Sequence, residues 1–566
     1  MRSYSEGDVL LVRAIGGLHV VILAWDFNSE SSYVKDNLIG FAIERSEFNN
    51  QNELIARYFL RGIKRFKGKD DGVQPGTQLP TSEHPIQSLQ WGDYTVKPAT
   101  KYHYKVIPCT GEPKLMNLEY NSSTTIEITT ESEQESLLSN MPKHNVYFNR
   151  GAAGSQAYAR KFGKTKPNPD DPDSEQMKWL SRGLYEALIR FIGQASGDDA
   201  KDYKLRAMLY EFQYLPVGKA FGKARTRGAD VDIRYECQSY KTHNEEMIKD
   251  AHIEDISKPQ KSREKIRHNK FIVLIHKDVP VAVWTGSTNI SKGGIFGHSN
   301  VGHEIWDKQI AQKYLGYWNA LAAPDVTRAK LVKYNLSLEK TPDTTIPTKE
   351  ILTLFSPRDN QNTLETLNWY AKLMGSANKI VCTTFAFNLD KLFFDVLKQQ
   401  TPTLKYAVFD DMLKPEVEHE LSKAKYTIIA SGSKFGKDSL INFMKEELTG
   451  FNRNQYIHDK FMLVDPLGDY PIIVSGSANF SASSQFGNDE NMLVIKDNKR
   501  VADIYFGEFM RIFDHLYARY IVNKLKNQPN NDAEAGYLKS DTKDWLPQHY
   551  LKDSRKSLRR VYFMEH

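Results

Sequence analysis

Cysteine is scarce in this chain. Three residues in 566, Cys109, Cys237 and Cys382, stand far apart. That excludes a disulfide framework and a cysteine-built zinc site, and it fits a reducing compartment. Long apolar runs are missing too, since no stretch approaches the roughly 18 residues that cross a bilayer. The N-terminus is apolar in places, but Glu6, Asp8, Arg13 and His19 interrupt it. No small-residue cleavage site follows, so it does not read as a secretory leader. These absences predict a soluble, cytoplasmic protein with no transmembrane segment.

Compositional bias is also lacking. Hydrophobic residues make up 40% and charged residues 26%, values typical of globular proteins, which excludes a disordered or fibrous chain. The formal charge of +6 is spread along the sequence. It suits an anionic substrate, a phospholipid headgroup or a nucleic acid, and allows peripheral membrane contact without requiring it.

The length suggests three or four folded units at about 150 residues each. Residues 1–132 read as β structure. Val9 to Val12, His19 to Ala24, Leu38 to Glu44, Tyr94 to Val96, Tyr102 to Ile107 and Thr124 to Thr129 are short, β-branched and aromatic, with turn residues between them. Only Asn52 to Ile63 has helical spacing. A small all-β sandwich of the fibronectin type III or immunoglobulin-like kind is expected there. The loop from Lys67 to Pro85 is long and polar.

After a second polar break, Gly163 to Glu175, the pattern changes. Leu180, Leu184, Leu188, Phe191 and Ile192 recur at helical spacing. A strand (Leu205 to Phe212), a helix (Gly218 to Arg227) and a second strand (Val231 to Tyr235) form a β–helix–β unit, the signature of an α/β sheet. The order recurs with a helix through Leu364, Leu367, Ala371 and Met374. Then come a strand (Lys379 to Phe387), a helix (Leu389 to Lys398) and a strand (Leu404 to Asp410). This points to a duplicated α/β lobe. The expected partition is a β-sandwich over 1–132, a first lobe over 133–342, a second over 343–528, and a C-terminal tail over 529–566. Thr341 to Lys349 links the lobes, and Asn527 to Gly536 precedes the tail.

The strongest signal sits at corresponding places in the two lobes. The first copy is His268-Asn269-Lys270 followed by Gly286-Ser287-Thr288-Asn289. The second is His458-Asp459-Lys460 followed by Gly476-Ser477-Ala478-Asn479. In both, the glycine comes 18 residues after the histidine. Histidine and lysine two apart on a strand face the same way. The imidazole can act as nucleophile or general acid, and the lysine offers positive charge to a phosphate. Serine, asparagine and backbone amides add donors for phosphate oxygens. Two sets facing each other supply the nucleophile and the acid of a double displacement. Single motifs are weak: His103-Tyr104-Lys105 and Gly375-Ser376-Ala377-Asn378 are isolated matches, read as a strand of the N-terminal module and as a helix end. Two paired motifs at one spacing are not a chance pattern.

The pattern HxK(x)4D(x)6GSxN marks the phospholipase D superfamily, which this chain resembles over roughly residues 140 to 525. His458, Lys460, Asp465, Gly476, Ser477 and Asn479 match its residue types, with ten residues between Asp465 and Gly476. The first copy departs at Ile275, where the second has Asp465, so its histidine is expected to lack one orienting partner. His276 faces away and is a poor substitute. The resemblance implies two α/β lobes sharing one active site, a covalent phosphohistidine, and no metal or other cofactor in the chemistry. It implies that His268 attacks phosphorus and that His458 protonates the leaving group and then activates water. Lys270, Lys460, Asn289 and Asn479 would bind phosphoryl oxygens, with Ser287, Ser477 and Asp465 in support. Glu490 is a candidate for orienting a histidine or lysine, and Asn300 holds the matching place in the first lobe. Both lobes lie in one chain, so the site requires no oligomer.

Other clusters carry less. His298, His303 and Glu304 lack the helical HExxH spacing of a metal site. Asn149 to Ser155 is Gly-rich without a Walker lysine and reads as an ordinary turn. Lys219, Lys223, Arg225 and Arg227 read as a solvated helix face. The resulting expectation is a phosphodiesterase of the phospholipase D type hydrolysing a phospholipid headgroup ester. The alternative is a metal-independent endonuclease of the same superfamily acting on DNA or RNA.

Overall fold

The computed structural model describes residues 1–28, 37–70, 72–73, 77–135, 142–151, 155–163, 165–432, 457–526 and 537–565. The Asn527 to Gly536 segment and the middle of the Gly-rich run, 152–154, lie outside them.

The β-branched N-terminal segments do form strands, in several small antiparallel sheets. Arg2–Glu6, Leu10–Gly16, Val21–Phe27 and Gln90–Asp93 make one sheet. Leu115–Leu118, Lys101–Glu112, Leu38–Phe48 and Leu54–Phe59 make another, with Thr124–Thr129 paired to Lys101–Glu112. Trp25, Phe41, Tyr102 and Tyr104 are buried in the core they enclose. Two expectations change here. Asn52 to Ile63 is not helical: Leu54–Phe59 is a strand at the sheet edge, and Leu54, Ile55 and Tyr58 are exposed. Apolar residues facing water on an edge strand break the usual alternation, which is why the spacing misled. Tyr94 to Val96 is not a strand either, because the Asp93 carboxylate accepts the Thr95 N–H at 3.0 Å and turns the chain. Tyr94 then donates to Asp514 at 2.5 Å.

Two seven-stranded sheets follow. The first contains β1 (Lys143–Phe148), β2 (Tyr203–Leu209), β3 (Asp230–Glu236), β4 (Ser257–Gln260), β5 (Lys270–His276), β6 (Val279–Gly286) and β7 (Val301–Trp306), in the order β1-β7-β6-β5-β2-β3-β4. The second contains β8 (Ile351–Ser356), β9 (Ile380–Phe385), β10 (Leu404–Phe409), β11 (Thr427–Ser431), β12 (Phe461–Val464), β13 (Ile472–Gly476) and β14 (Glu490–Lys496). Its order is β8-β14-β13-β12-β9-β10-β11, the same topology moved on by seven strands. In each, the first three strands of the β–helix–β region run parallel and the rest are antiparallel. The crossover helices are α1 (Leu215–Arg227) and α2 (Lys391–Leu397). On α1, Arg225 pairs with Asp255 in an exposed contact.

A long helix that the sequence pattern did not suggest, α3 (Lys499–Lys526), ties these parts together. Its Tyr505, Phe509 and Phe513 share one core with Ile15 and Ile22 of the N-terminal sheets, Phe148 of β1 and Phe461 of β12. Burying each such aromatic contributes about 1.5–3 kcal/mol. The C-terminal segment returns to the N-terminal region. Tyr537–Leu538 pairs with Arg65–Phe66, Trp545 joins the N-terminal core, and α4 (Arg555–Met564) sends Phe563 under α3. No helix among the described residues is long and apolar enough to cross a membrane.

Candidate active site

The topology brings the leading ends of β5 and β12 together where the two sheets meet. The hairpin partners β6 and β13 end there in the motif glycines. Both glycines are required by close approach. A Cβ at Gly286 would strike the Val301 carbonyl oxygen, and one at Gly476 the Asn491 carbonyl oxygen. Gly286 also has φ +132°, a region side chains avoid.

His268 and His458 do not sit on strands beside their lysines, as the spacing predicted. The strands begin at Lys270 and Phe461, and each histidine lies in the lead-in segment, clamped by the other lobe. The His268 N–H donates to the Asp489 carbonyl at 2.9 Å, and the His458 N–H donates to the Ser299 carbonyl at 3.1 Å. The lysines fold back on the same segments. Lys270 Nζ donates to the His268 carbonyl at 2.8 Å and Lys460 Nζ to the His458 carbonyl at 2.6 Å.

The imidazoles are also held across the lobes. His268 Nδ1 lies 2.8 and 3.0 Å from the Glu490 carboxylate oxygens. That carboxylate also accepts from Ser477 Oγ at 2.7 Å and Asn488 Nδ2 at 3.0 Å. His458 Nδ1 lies 2.9 Å from Asn300 Oδ1, which accepts from Ser287 Oγ at 2.8 Å. Asn300 Nδ2 donates to the Gly294 carbonyl at 2.8 Å, so the amide presents its oxygen to the histidine. A carboxylate, or an amide oxygen so fixed, only accepts. Each Nδ1 therefore carries the hydrogen, and each Nε2 is left with a lone pair.

Electrostatics separates the two. Burial pulls His268 down to about 4, Glu490 opposing and Lys270 assisting. Burial, Lys460 and His298 hold His458 well below the usual range. Burial would raise Glu490, but His268 and Lys270 outweigh it and keep it below the ordinary carboxyl value. These shifts leave Glu490 ionised and both imidazoles neutral. Burial lowers Lys270 to about 8, and burial together with Lys270 lowers Lys460 to about 7. Two ammonium groups this deep ask for an anion between them.

The asparagines divide. Asn289 Nδ2 donates to Glu211 Oε1 at 2.6 Å. Asn289 Oδ1 and Asn479 Oδ1 have no partner among the described residues. Asp465 does not join the site. It caps the start of β9, accepting from the backbone N–H groups of Asn378, Lys379 and Ile380 at 2.8–3.0 Å. Its counterpart Ile275 is a buried core residue. The expectation that the first histidine lacks an orienting partner is therefore corrected: Asp465 orients no histidine, and His268 has Glu490.

Several neighbours were not singled out by motif. Tyr210 packs edge-on to His268 at 4.7 Å, with Lys270 Nζ over its ring at 4.9 Å. His298 packs on His458 at 4.7 Å, at the position that matches Asn488 in the other lobe. Asn149 anchors the loop carrying Asn300, accepting its N–H at 3.0 Å and donating to the Ile295 and His298 carbonyls at 2.9 Å. The histidine cluster considered above is dispersed. His303 bonds His144 at 3.0 Å and Tyr505 at 3.2 Å, and Glu304 accepts from Asn145. His103 pairs with Glu127 on the N-terminal sheet.

Comparison with known proteins bears on the second lobe directly. Residues 418–516 match the family model described as cardiolipin synthase, PLD-like domain. No curated protein sequence matches the chain. Among solved structures, it is similar to phosphatidylserine synthase of Haemophilus influenzae Rd KW20, with 12% identity, TM-score 0.40, and 68% of this chain and 94% of that one covered. It is similar to Nuc of Salmonella typhimurium, a phospholipase D family member, with 19% identity, TM-score 0.21, and 32% and 94% covered. It is also similar to polyphosphate kinase of Porphyromonas gingivalis, with 10% identity and TM-score 0.34. That match covers 55% of this chain but only 43% of the kinase.

Proposed function

We propose that this chain, which belongs to the phospholipase D superfamily, is a phosphodiesterase that works by double displacement through a phosphohistidine. The observation that carries this reading is the crossed pairing of His268 with Glu490 and His458 with Asn300. It provides two Nε2 atoms of different character at one lobe junction.

His268 is the nucleophile. A hydrogen bond from Nδ1 to a carboxylate raises the basicity of Nε2 and stabilises the positive charge that grows as Nε2 bonds phosphorus. His458, with a neutral partner, is the acid. A bound phosphodiester anion beside Lys270 and Lys460 favours the imidazolium. Nε2–H of His458 passes its proton to the departing alkoxide as the phosphorus–oxygen bond breaks. In the second half, neutral His458 takes a proton from water, the hydroxide attacks phosphorus, and His268 leaves as a neutral imidazole. Lys270, Lys460, Asn289 and Asn479 hold the phosphoryl oxygens, while Ser287 and Ser477 hold Asn300 and Glu490.

A phospholipid headgroup ester is the substrate we favour. Phe387 and Met412, 57% and 66% exposed, follow β9 and β10, and the Phe387 ring lies 5.9 Å from Lys460 Nζ. Apolar side chains at such a rim suit peripheral contact with a lipid surface. The N-terminal sheets, facing one another across a single core, we take as a sandwich module preceding the lobes.

The test is a substrate panel in excess EDTA: headgroup release from mixed vesicles beside cleavage of single- and double-stranded DNA and RNA. Headgroup release is the expected result. Cleavage of nucleic acid alone assigns the same histidines to an endonuclease, and no turnover of any phosphodiester removes the proposal.

A further inference from the structure

A cavity of about 210 Å³, lined by none of the motif residues, lies between the N-terminal sheets and α4. Lys64 and the segment from Gln87 to Gln90 form one wall. His549, Lys556, Arg559 and Arg560 form the other. Lys556, Arg559 and Arg560 are three and four residues apart on α4, which places them on one helix face. No carboxylate lines the cavity.

The cations differ in how they are neutralised. Arg560 is committed, with an ion pair to Asp26 and its guanidinium 4.4 Å above the Tyr550 ring. Lys64 and Lys556 have no ion-pair partner among the described residues, and Lys556 Nζ only donates to the Gln548 amide at 2.8 Å. Burial and Lys539 lower the Lys64 ammonium, and burial and Lys64 lower that of Lys556. Lys539, Lys64 and Lys556 thus bring like charges together at this cavity, an arrangement that attracts an anion.

His549 is a second, independent pointer. Its side chain is 6% exposed, yet Nε2 has no hydrogen-bond partner among the described residues. An orphaned buried polar atom costs about 1–3 kcal/mol unless something meets it. Burial, then Lys556, Arg559 and Arg560, bring its pKa down to about 3. A neutral ring that donates from Nε2 suits a phosphate oxygen. The Arg560 Nε bond to the His549 carbonyl, at 3.0 Å, fixes this turn to the helix. A water takes about 30 Å³ of liquid, so the space holds several waters or one phosphate group.

We propose that this cavity is a second binding site, for a phosphate dianion, held by Lys64 and Lys556 with His549 donating from Nε2. The dianion arrives either as free phosphate or as the monoester headgroup of a lipid. Occupancy bridges Lys64 of the N-terminal region to α4, so it stabilises the join between the two ends of the chain.

The test is calorimetry of inorganic phosphate into the full chain at fixed ionic strength, comparing wild type with Lys64→Ala/Lys556→Ala. Neither lysine is among the buried core residues, so the variant is expected to fold and to keep its turnover. In a Lys270→Ala/Lys460→Ala background, which silences the motif site, one phosphate should still bind. Adding Lys64→Ala/Lys556→Ala should weaken it by about tenfold or more. Cosedimentation with phosphatidylcholine vesicles, with and without phosphatidic acid, separates the sources. Loss of phosphatidic acid-dependent binding in Lys64→Ala/Lys556→Ala assigns the lipid monoester, and loss of the calorimetric signal alone assigns free phosphate. If neither measurement changes in Lys64→Ala/Lys556→Ala, the site is overturned.

Discussion

His268 and Glu490 lie in different lobes, yet their side chains meet at 2.8 Å. The carboxylate is surrounded by donors: His268 Nδ1, Ser477 Oγ and Asn488 Nδ2. Glu490→Gln would turn an NH₂ group toward one of them, leaving a donor facing a donor and the wrong imidazole tautomer favoured. We expect kcat to fall by about 10²–10⁴-fold, the range of a general acid–base contribution, with KM changed little. An unchanged kcat would show that Glu490 does not position His268.

The two histidines should fail differently. His268→Ala removes the nucleophile and should abolish turnover in a folded protein. His458→Ala should slow both half-reactions. With an activated ester, whose leaving group needs no proton, the phosphoenzyme should form and persist. Quenching in alkaline denaturant, which preserves the acid-labile N–P bond, followed by ³²P peptide mapping at alkaline pH should place the label on His268. Label recovered on His458 in His268→Ala would reverse the roles.

Much of this site was legible in the sequence because its parts are local. The histidine, the lysine and the GSxN glycine keep one spacing in both copies, and the hairpins β5–β6 and β12–β13 that carry them are contiguous. What crosses between lobes was harder to read. Glu490 and Asn300 stood out as matched positions, but nothing in one strand says that each serves the histidine of the other lobe. Asp465 was over-read for the opposite reason: it is near its motif in sequence, while its carboxylate faces the start of β9. Helix α3 went unnoticed because it is buried on several sides by separate partners, and it has no single apolar stripe to detect.

The pH dependence of kcat/KM should report the free enzyme's buried groups. Protonation of His268 below about 4 removes the nucleophile and sets the acid limb. Because His458 is neutral in the free enzyme and must take up a proton to act as the acid, kcat/KM declines with rising pH above that limb. Loss of the ammonium charge above about 7 at Lys460 and about 8 at Lys270 steepens the decline into an alkaline limb. The two lysines interact, so the alkaline limb belongs to the pair. A profile flat from pH 6 to 10 would contradict the assignment of these lysines to phosphate binding.

Glu508 on α3 joins stability to the site. It is buried with Arg182 at 2.8 Å and Arg511 at 2.7 Å. Arg511 also donates to the carbonyls of Asn149 and Arg150 at 3.2 and 3.0 Å, and Asn149 holds the loop that presents Asn300 to His458. Glu508→Ala would leave two buried guanidinium groups without their counter-ion, at a cost of about 3–5 kcal/mol, and loosen the anchor of Asn149. The pH dependence has a definite sign. Burial alone would raise Glu508, but Arg182 and Arg511 prevail and hold it down to about 2, against an ordinary value of 4.5. The folded state therefore binds this proton less readily than the unfolded state, and stability rises with pH across the interval. The contribution, about 3 kcal/mol at 1.36 kcal/mol per unit, is complete above pH 4.5 and lost as pH falls through 2. Denaturant unfolding between pH 2 and 6 should show the wild type losing stability over that window relative to Glu508→Gln, whose side chain does not titrate. Parallel curves for the two proteins would mean that Glu508 is not held ionised by the arginines.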